Sequence, residues 1–143
     1  MADDRPHPKP KDNPMPQLEP LPFAKLMGVT VVSVTPDLVI GAMQVTKDLC
    51  TRPDVLHGGA YMAFADTIGA VATVANLKDG EGTTTIESKT NFFAAIPLGD
   101  TARAECSALH KGRSTMVWQT KITRGDGRLA AIVTQTQMVL KKT

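Results

Sequence analysis

Apolar residues along this chain change their spacing several times, and each change marks an element. Phe23-Ala24-Lys25-Leu26-Met27 reads as a short helical turn that stops at Gly28. Val29 to Val34 is β-branched and reads as a strand, Pro36-Asp37 as a turn, and Leu38 to Thr46 as a second strand, so the two form a hairpin. From Gly59 to Leu77 the chain is rich in Ala and free of Pro, which predicts the one long helix. Met62, Ala65, Asp66, Gly69, Ala72 and Thr73 recur there at helical spacing, and the small residues among them permit close approach of a neighbour, a second chain's helix included. Lys78 to Gly82 ends the helix. Four strand-like runs follow, Thr83–Phe93, Thr101–His110, Thr115–Arg124 and Leu129–Leu140. Pro97-Leu98-Gly99-Asp100, Lys111-Gly112-Arg113 and Gly125-Asp126-Gly127 separate them, the last as a hairpin turn. This order predicts an α+β layer fold, a curved antiparallel sheet of about six strands wrapped around one long central helix.

Composition narrows the class. The 143 residues suit one domain, and 42% hydrophobic with 21% charged residues is ordinary for a globular chain. Seven of the ten prolines fall in the first 22 residues. Such a stretch can form neither a helix nor a ladder, so residues 1–17 read as a disordered tail and residues 18–143 as the folded domain. A net charge of +2 without a basic stripe speaks against nucleic acid as a partner. No apolar run approaches the ~20 residues of a membrane span. The start MADDRPHPKP has no apolar core of a secretory signal, so the cytoplasm is the expected compartment. Cys50 and Cys106 lie in or beside strands with no CxxC pairing and read as reduced thiols. No residues show a metal-binding spacing, and neither a metal nor a redox cofactor is expected.

The candidate chemistry sits in Leu56-His57-Gly58-Gly59-Ala60 and Asp66. Two glycines stand where the long helix begins. A helix start offers unpaired N–H groups and partial positive charge, and glycine lets a ligand come close to them. Such a start can polarise a carbonyl and hold the oxyanion that forms on attack, although the same glycines would also serve a tight corner. Asp66 lies inside the helix among apolar neighbours. Asp is a poor mid-helix residue, and burying its charge costs several kcal/mol unless compensated. It reads as a general base or nucleophile, or else as a hydrogen-bonded structural carboxylate. His57 reads as a cap on the turn into the helix. There is no GxSxG elbow, and Cys50 has no partner nearby in sequence, so nothing supports a nucleophilic triad.

Spacing carries a further consequence. Gly58 and Asp66 are eight residues apart. On a helix that is ~12 Å, whereas a reacting carbonyl must lie within ~3.5 Å of both its oxyanion donor and its attacker. One helix cannot supply both. If both groups act on one substrate, Asp66 comes from a second chain whose helix runs antiparallel, as in a twofold dimer.

His57-Gly58-Gly59, Asp66 nine positions after the His, Asn91-Phe92-Phe93, Pro97-Leu98-Gly99-Asp100 and Lys111-Gly112-Arg113 together resemble the PaaI-like hotdog thioesterases, over roughly residues 21–140. The resemblance implies a hotdog fold, a homodimer often paired into a tetramer, and acyl-CoA as the substrate, with CoA as leaving group. It implies Asp66 as the catalytic carboxylate, the Gly58 amide as the group polarising the thioester carbonyl, and Thr85 near the attacking water. Substrate contacts are implied at His57, Gly59, Thr51, Asn91 and Phe92, and a CoA phosphate contact at Gly112-Arg113. Thr51 stands where relatives often carry Asn or Gln, and Phe92-Phe93-Ala94-Ala95 where they often read Phe-Leu-Arg-Pro. Ala70 lacks the hydroxyl of the Glu-type branch, which favours the Asp-type branch. Two other readings are a hotdog module that binds acyl-CoA without cleaving it, and a hotdog hydratase or dehydratase using His57 and Asp66 as an acid/base pair. The acyl group, aromatic or medium-chain, is not legible.

Overall fold

The computed structural model describes residues 21–142, so the expected tail and the expected domain start at Leu18 lie outside the described residues. Helix α1 (Pro22–Met27) begins on a proline and ends at Gly28, whose φ of 74° is left-handed and favours glycine. Strands β1 (Val29–Val34) and β2 (Leu38–Gln44) form the expected hairpin. A 3-10 turn at Lys47–Leu49, then β3 (Cys50–Thr51) and β4 (Val55–Leu56), leads into helix α2 (Gly58–Val74). Strands β5 (Gly82–Phe92), β6 (Thr101–Lys111), β7 (Thr115–Thr123) and β8 (Leu129–Leu140) complete the chain. The six long strands form one antiparallel sheet in the order β1-β2-β6-β7-β8-β5, while β3 and β4 pair only with each other. Helix α2 packs against the sheet's inner face, so the expected α+β hotdog arrangement is the one observed.

Most boundaries fall within one residue of the sequence reading, and three features differ by more. The β3–β4 hairpin was not expected, because two-residue strands carry no periodicity. β2 stops short of Thr46, since Val45 leaves the ladder to pair with Asp100 and Gly99 at 2.9 Å each. α2 ends at Val74 rather than Leu77, because the Asn76 side-chain amide donates to the carbonyls of Ala72 and Pro36, each at 2.9 Å, and closes the last turn.

Period-two alternation builds the inner face of the sheet. β6 buries Ala102, Ala104 and Cys106; β7 buries Met116, Trp118, Thr120 and Ile122; β8 buries Val133, Gln135, Gln137 and Val139. Against them α2 buries Tyr61, Phe64, Ala65, Ile68, Gly69 and Ala72. Contact is close at two glycines. A Cβ on Gly69 would fall 2.4 Å from the Gln135 amide, and one on Gly41 would fall 2.4 Å from Ile68 Cδ1. Ala65, Gly69 and Ala72 are therefore occupied by the chain's own sheet, which corrects the expectation that they admit a second helix.

Polar groups inside this layer are paired around Trp118, whereas Thr120 Oγ1 and Gln135 Oε1 have no hydrogen-bond partner among the described residues. Trp118 Nε1–H donates to Thr73 Oγ1 at 2.9 Å, and the Thr73 hydroxyl donates to the Gly69 carbonyl at 2.8 Å. Thr73→Val keeps the shape but leaves the indole N–H unpaired. The expected loss is about 1–3 kcal/mol, read as a lower urea midpoint at unchanged m value. The two cysteines are free and differ in environment. Cys50 is half-buried, with its thiol on the Thr46 carbonyl at 3.3 Å. Cys106 is buried, and loss of solvent pushes its thiol up to about 11. A thiol reagent at mildly alkaline pH is expected to label Cys50 in the folded protein and Cys106 only on unfolding, with labelled peptides identified by mass spectrometry.

Candidate active site

The start of α2 is organised by its cap. His57 Nδ1 accepts the Gly59 N–H at 2.8 Å, and the His57 carbonyl accepts the Ala60 N–H at 2.9 Å. Among the described residues nothing accepts the Gly58 N–H, so one of the helix's orphan donors stays open. The Phe92 ring lies over Gly58, where a Cβ would sit 3.4 Å from the ring. Tyr61, one turn on, meets Phe92 edge to face, centroids 5.5 Å apart at 83°. The Tyr61 hydroxyl donates to the Ala94 carbonyl at 3.2 Å and accepts the Ile96 N–H at 3.1 Å, which fixes the segment after β5. Leu56, Gly58, Tyr61, Phe92, Phe93 and Ala94 line an open cleft of about 400 Å³. A second cleft, of about 510 Å³, borders His57 and Gly59 and is walled by Phe23, Leu26, Leu49 and Cys50.

Two turns further along α2, Asp66 is half-buried and turned toward the sheet. The Thr85 hydroxyl donates to Asp66 Oδ1 at 2.6 Å, and Gln135 Nε2 reaches the same oxygen at a longer 3.4 Å. Gln137 Nε2 donates to Thr85 Oγ1 at 2.7 Å. Asp66 Oδ2 has no hydrogen-bond partner among the described residues. The β5–β8 register shifts between Thr85 and Glu87, a bulge that leaves Ile86 unpaired beside the carboxylate.

The expected site residues thus divide into groups. Thr85 joins Asp66, Phe92 joins Gly58, and His57 and Gly59 are joined through the cap. Asn91 alternates with Phe92 along β5, so its exposed side chain lies on the other face from the Gly58 cleft. Thr51 is exposed on β3. Gly112 and Arg113 occupy the β6–β7 turn. The row Thr84–Met138–Thr115 puts that turn at the Thr85 end of the sheet, two strands away, or ~10 Å. The reading of the sequence missed Tyr61, Gln135 and Gln137. For the glutamines a signal existed: they alternate with Val133 and Val139 on the buried face of β8, where an amide needs a partner.

A six-stranded antiparallel sheet over one buried helix, with an open donor at the helix start and a tethered carboxylate two turns later, defines a hotdog-fold protein. The sequence pattern of the thioesterase superfamily matches residues 54–131. The chain is 31% identical over 117 residues to the 1,4-dihydroxy-2-naphthoyl-CoA hydrolase of Listeria monocytogenes, covering 81% of this chain and 94% of that one. Its fold superposes on the PaaI protein of Escherichia coli with a TM-score of 0.78 at 23% identity, covering 85% and 86% of the two chains. It also superposes on a protein of Streptococcus pneumoniae, named a hypothetical thioesterase and solved with coenzyme A, with a TM-score of 0.73 at 22% identity and coverage of 80% and 88%. The chain belongs to the thioesterase superfamily and is a thioester hydrolase.

Proposed function

We propose that this chain hydrolyses acyl-CoA thioesters to the free acid and CoA, at a site shared between two copies. The observation that carries the reading is the pairing of an open Gly58 N–H with a tethered Asp66 on one helix, too far apart to serve one carbonyl from the same chain. In the proposed reaction Asp66 takes a proton from water as its oxygen attacks the thioester carbon. The partner's Gly58 N–H holds the oxyanion that develops. The C–S bond then breaks, and the CoA sulfur leaves as the thiol with the proton that Asp66 took from water, which restores the carboxylate. No metal or redox cofactor takes part.

The sheet supplies a way for two copies to meet. β5 is an 11-residue edge strand, with β8 on one side only. Gly58 lies at its Phe92 end and Asp66 at its Thr85 end. Because the bulge at Ile86 takes up one residue, the midpoint of Thr85 and Phe92 along the ladder is Lys89, whose partner Thr134 lies halfway between Gln137 and Ala131. Two β5 edges paired antiparallel about that point would set Phe92 of one chain opposite the partner's Thr85, and so Gly58 beside the partner's Asp66. Acyl-CoA as the substrate class is supported by the naphthoyl-CoA hydrolase relative and by the coenzyme A bound to the streptococcal protein. The exposed Arg113, at the Thr85 end of the sheet, is assigned to a CoA phosphate.

Thiol release from aryl- and fatty acyl-CoAs tests the reading. The natural sequence is expected to release CoA from at least one class. Asp66→Asn is expected to lower kcat by ~10²-fold or more, the usual range for a general base, while keeping the fold. Full activity in Asp66→Asn would remove the mechanism. Tight binding without release by the natural sequence would favour an acyl-CoA sensor instead.

A further inference from the structure

The hydrogen bonds around Asp66 have a direction, and it is set from β8. An ionised carboxylate only accepts hydrogen bonds, so the 2.6 Å contact with Thr85 consumes the one proton of that hydroxyl. Thr85 Oγ1 must then accept from Gln137, whose Nε2 lies 2.7 Å away. The other end of that amide, Oε1, lies 3.0 Å from the Thr83 hydroxyl, whose one proton also has the Met138 carbonyl in reach at 2.9 Å. Gln137 is 1% exposed, so water does not compete for its amide. Turning the amide over would offer an oxygen to Thr85 and draw the Thr85 proton away from Asp66.

We propose that Gln137 is a positioning residue for the hydrolysis, which acts through Thr85 to commit Asp66 Oδ1 to the protein and leave Oδ2 as the oxygen that meets water. Gln135 assists. It is also 1% exposed, and its Nε2 approaches the same Oδ1 at 3.4 Å. Its amide occupies the space that Gly69 leaves, where a Cβ would lie 2.4 Å away. The two glutamines approach from one strand, and both direct their donors toward the Oδ1 side. Oδ2 has no partner among the described residues, so the carboxylate is held by one oxygen and free at the other. A base fixed in this way meets its water in one orientation rather than several.

This inference rests on the reading of Asp66 as the base, and a coupled set of variants separates the two. Steady-state kcat and KM are measured for the natural sequence, Gln137→Met, Thr85→Val, Thr85→Ser, the double variant Thr85→Val with Gln137→Met, and Asp66→Asn. Far-ultraviolet circular dichroism checks that each is folded. Gln137→Met is expected to lower kcat about tenfold, the worth of one hydrogen bond, with KM changed less than about twofold. Thr85→Val is expected to lose at least as much, and Thr85→Ser to retain most of the natural kcat. On the Thr85→Val background, Gln137→Met is expected to cost nothing further, because its only route to Asp66 is gone. An unchanged kcat in Gln137→Met overturns the proposal. So does an equal loss on both backgrounds, which marks a packing role. Activity retained in Asp66→Asn overturns the function reading itself, whereas an inactive Asp66→Asn beside an unaffected Gln137→Met overturns only this inference.

Discussion

A carboxylate can stand on the sheet side of a buried helix only where something donates hydrogen bonds to it, and here the strands do so. Leaving such a charge uncompensated costs several kcal/mol. Thr85 on β5 and Gln135 on β8 meet Asp66 on α2, so one oxygen atom ties together three elements far apart in sequence. The contact also limits what can lie around it. Gly69 has no side chain because the Gln135 amide needs its place. Gln137 and Thr83 are polar because Thr85 needs a donor behind it. The bulge after Thr85 lets β5 carry that hydroxyl inward and still pair with β8 on both sides of the irregularity.

The same helix has a second chemical end. His57 spends its ring nitrogen and its carbonyl on the N–H groups of Gly59 and Ala60 and leaves that of Gly58 open. Phe92 and Tyr61 wall the open donor with apolar surface, which strengthens an electrostatic contact made there. Donor and carboxylate, the two groups of the proposed chemistry, are thus held two helical turns apart. Rigid packing of α2 on the sheet makes that separation permanent within one chain, so the proposed chemistry needs a second copy.

Much of the fold was legible because long elements announce their period. The β8 run was read with its observed ends, Leu129 and Leu140, and the α2 core with an error of a few residues at its C-terminal end. The β3–β4 hairpin escaped because a two-residue strand has no period. Of the candidate site, His57, Gly58 and Asp66 were legible as local oddities: glycines at a helix start and an acid among apolar residues. Thr85 came from the family resemblance, and the structure puts its hydroxyl on Asp66. Gln135 and Gln137 were not found, because only the pairing register of β8 with β5 and β7 brings them behind Asp66 and Thr85. Asn91 was chosen from its motif, and strand alternation turns it away from the Gly58 cleft.

The shared site is the central claim, and complementation between two inactive chains tests it most directly. Gly58→Pro removes the open N–H at a helix position that favours proline, and His57, at φ −63° and ψ 138°, already has the extended backbone that precedes one. Asp66→Asn removes the carboxylate. Each variant alone should be inactive. Co-expressed in equal amounts and purified together, they should recover about a quarter of the natural activity, since half the dimers are mixed and each mixed dimer holds one intact site. Recovery near that level is what a site shared across the dimer predicts. A mixture as inactive as its parts, in dimers shown by mass spectrometry to be mixed, would place both groups of each site in one chain and contradict the account.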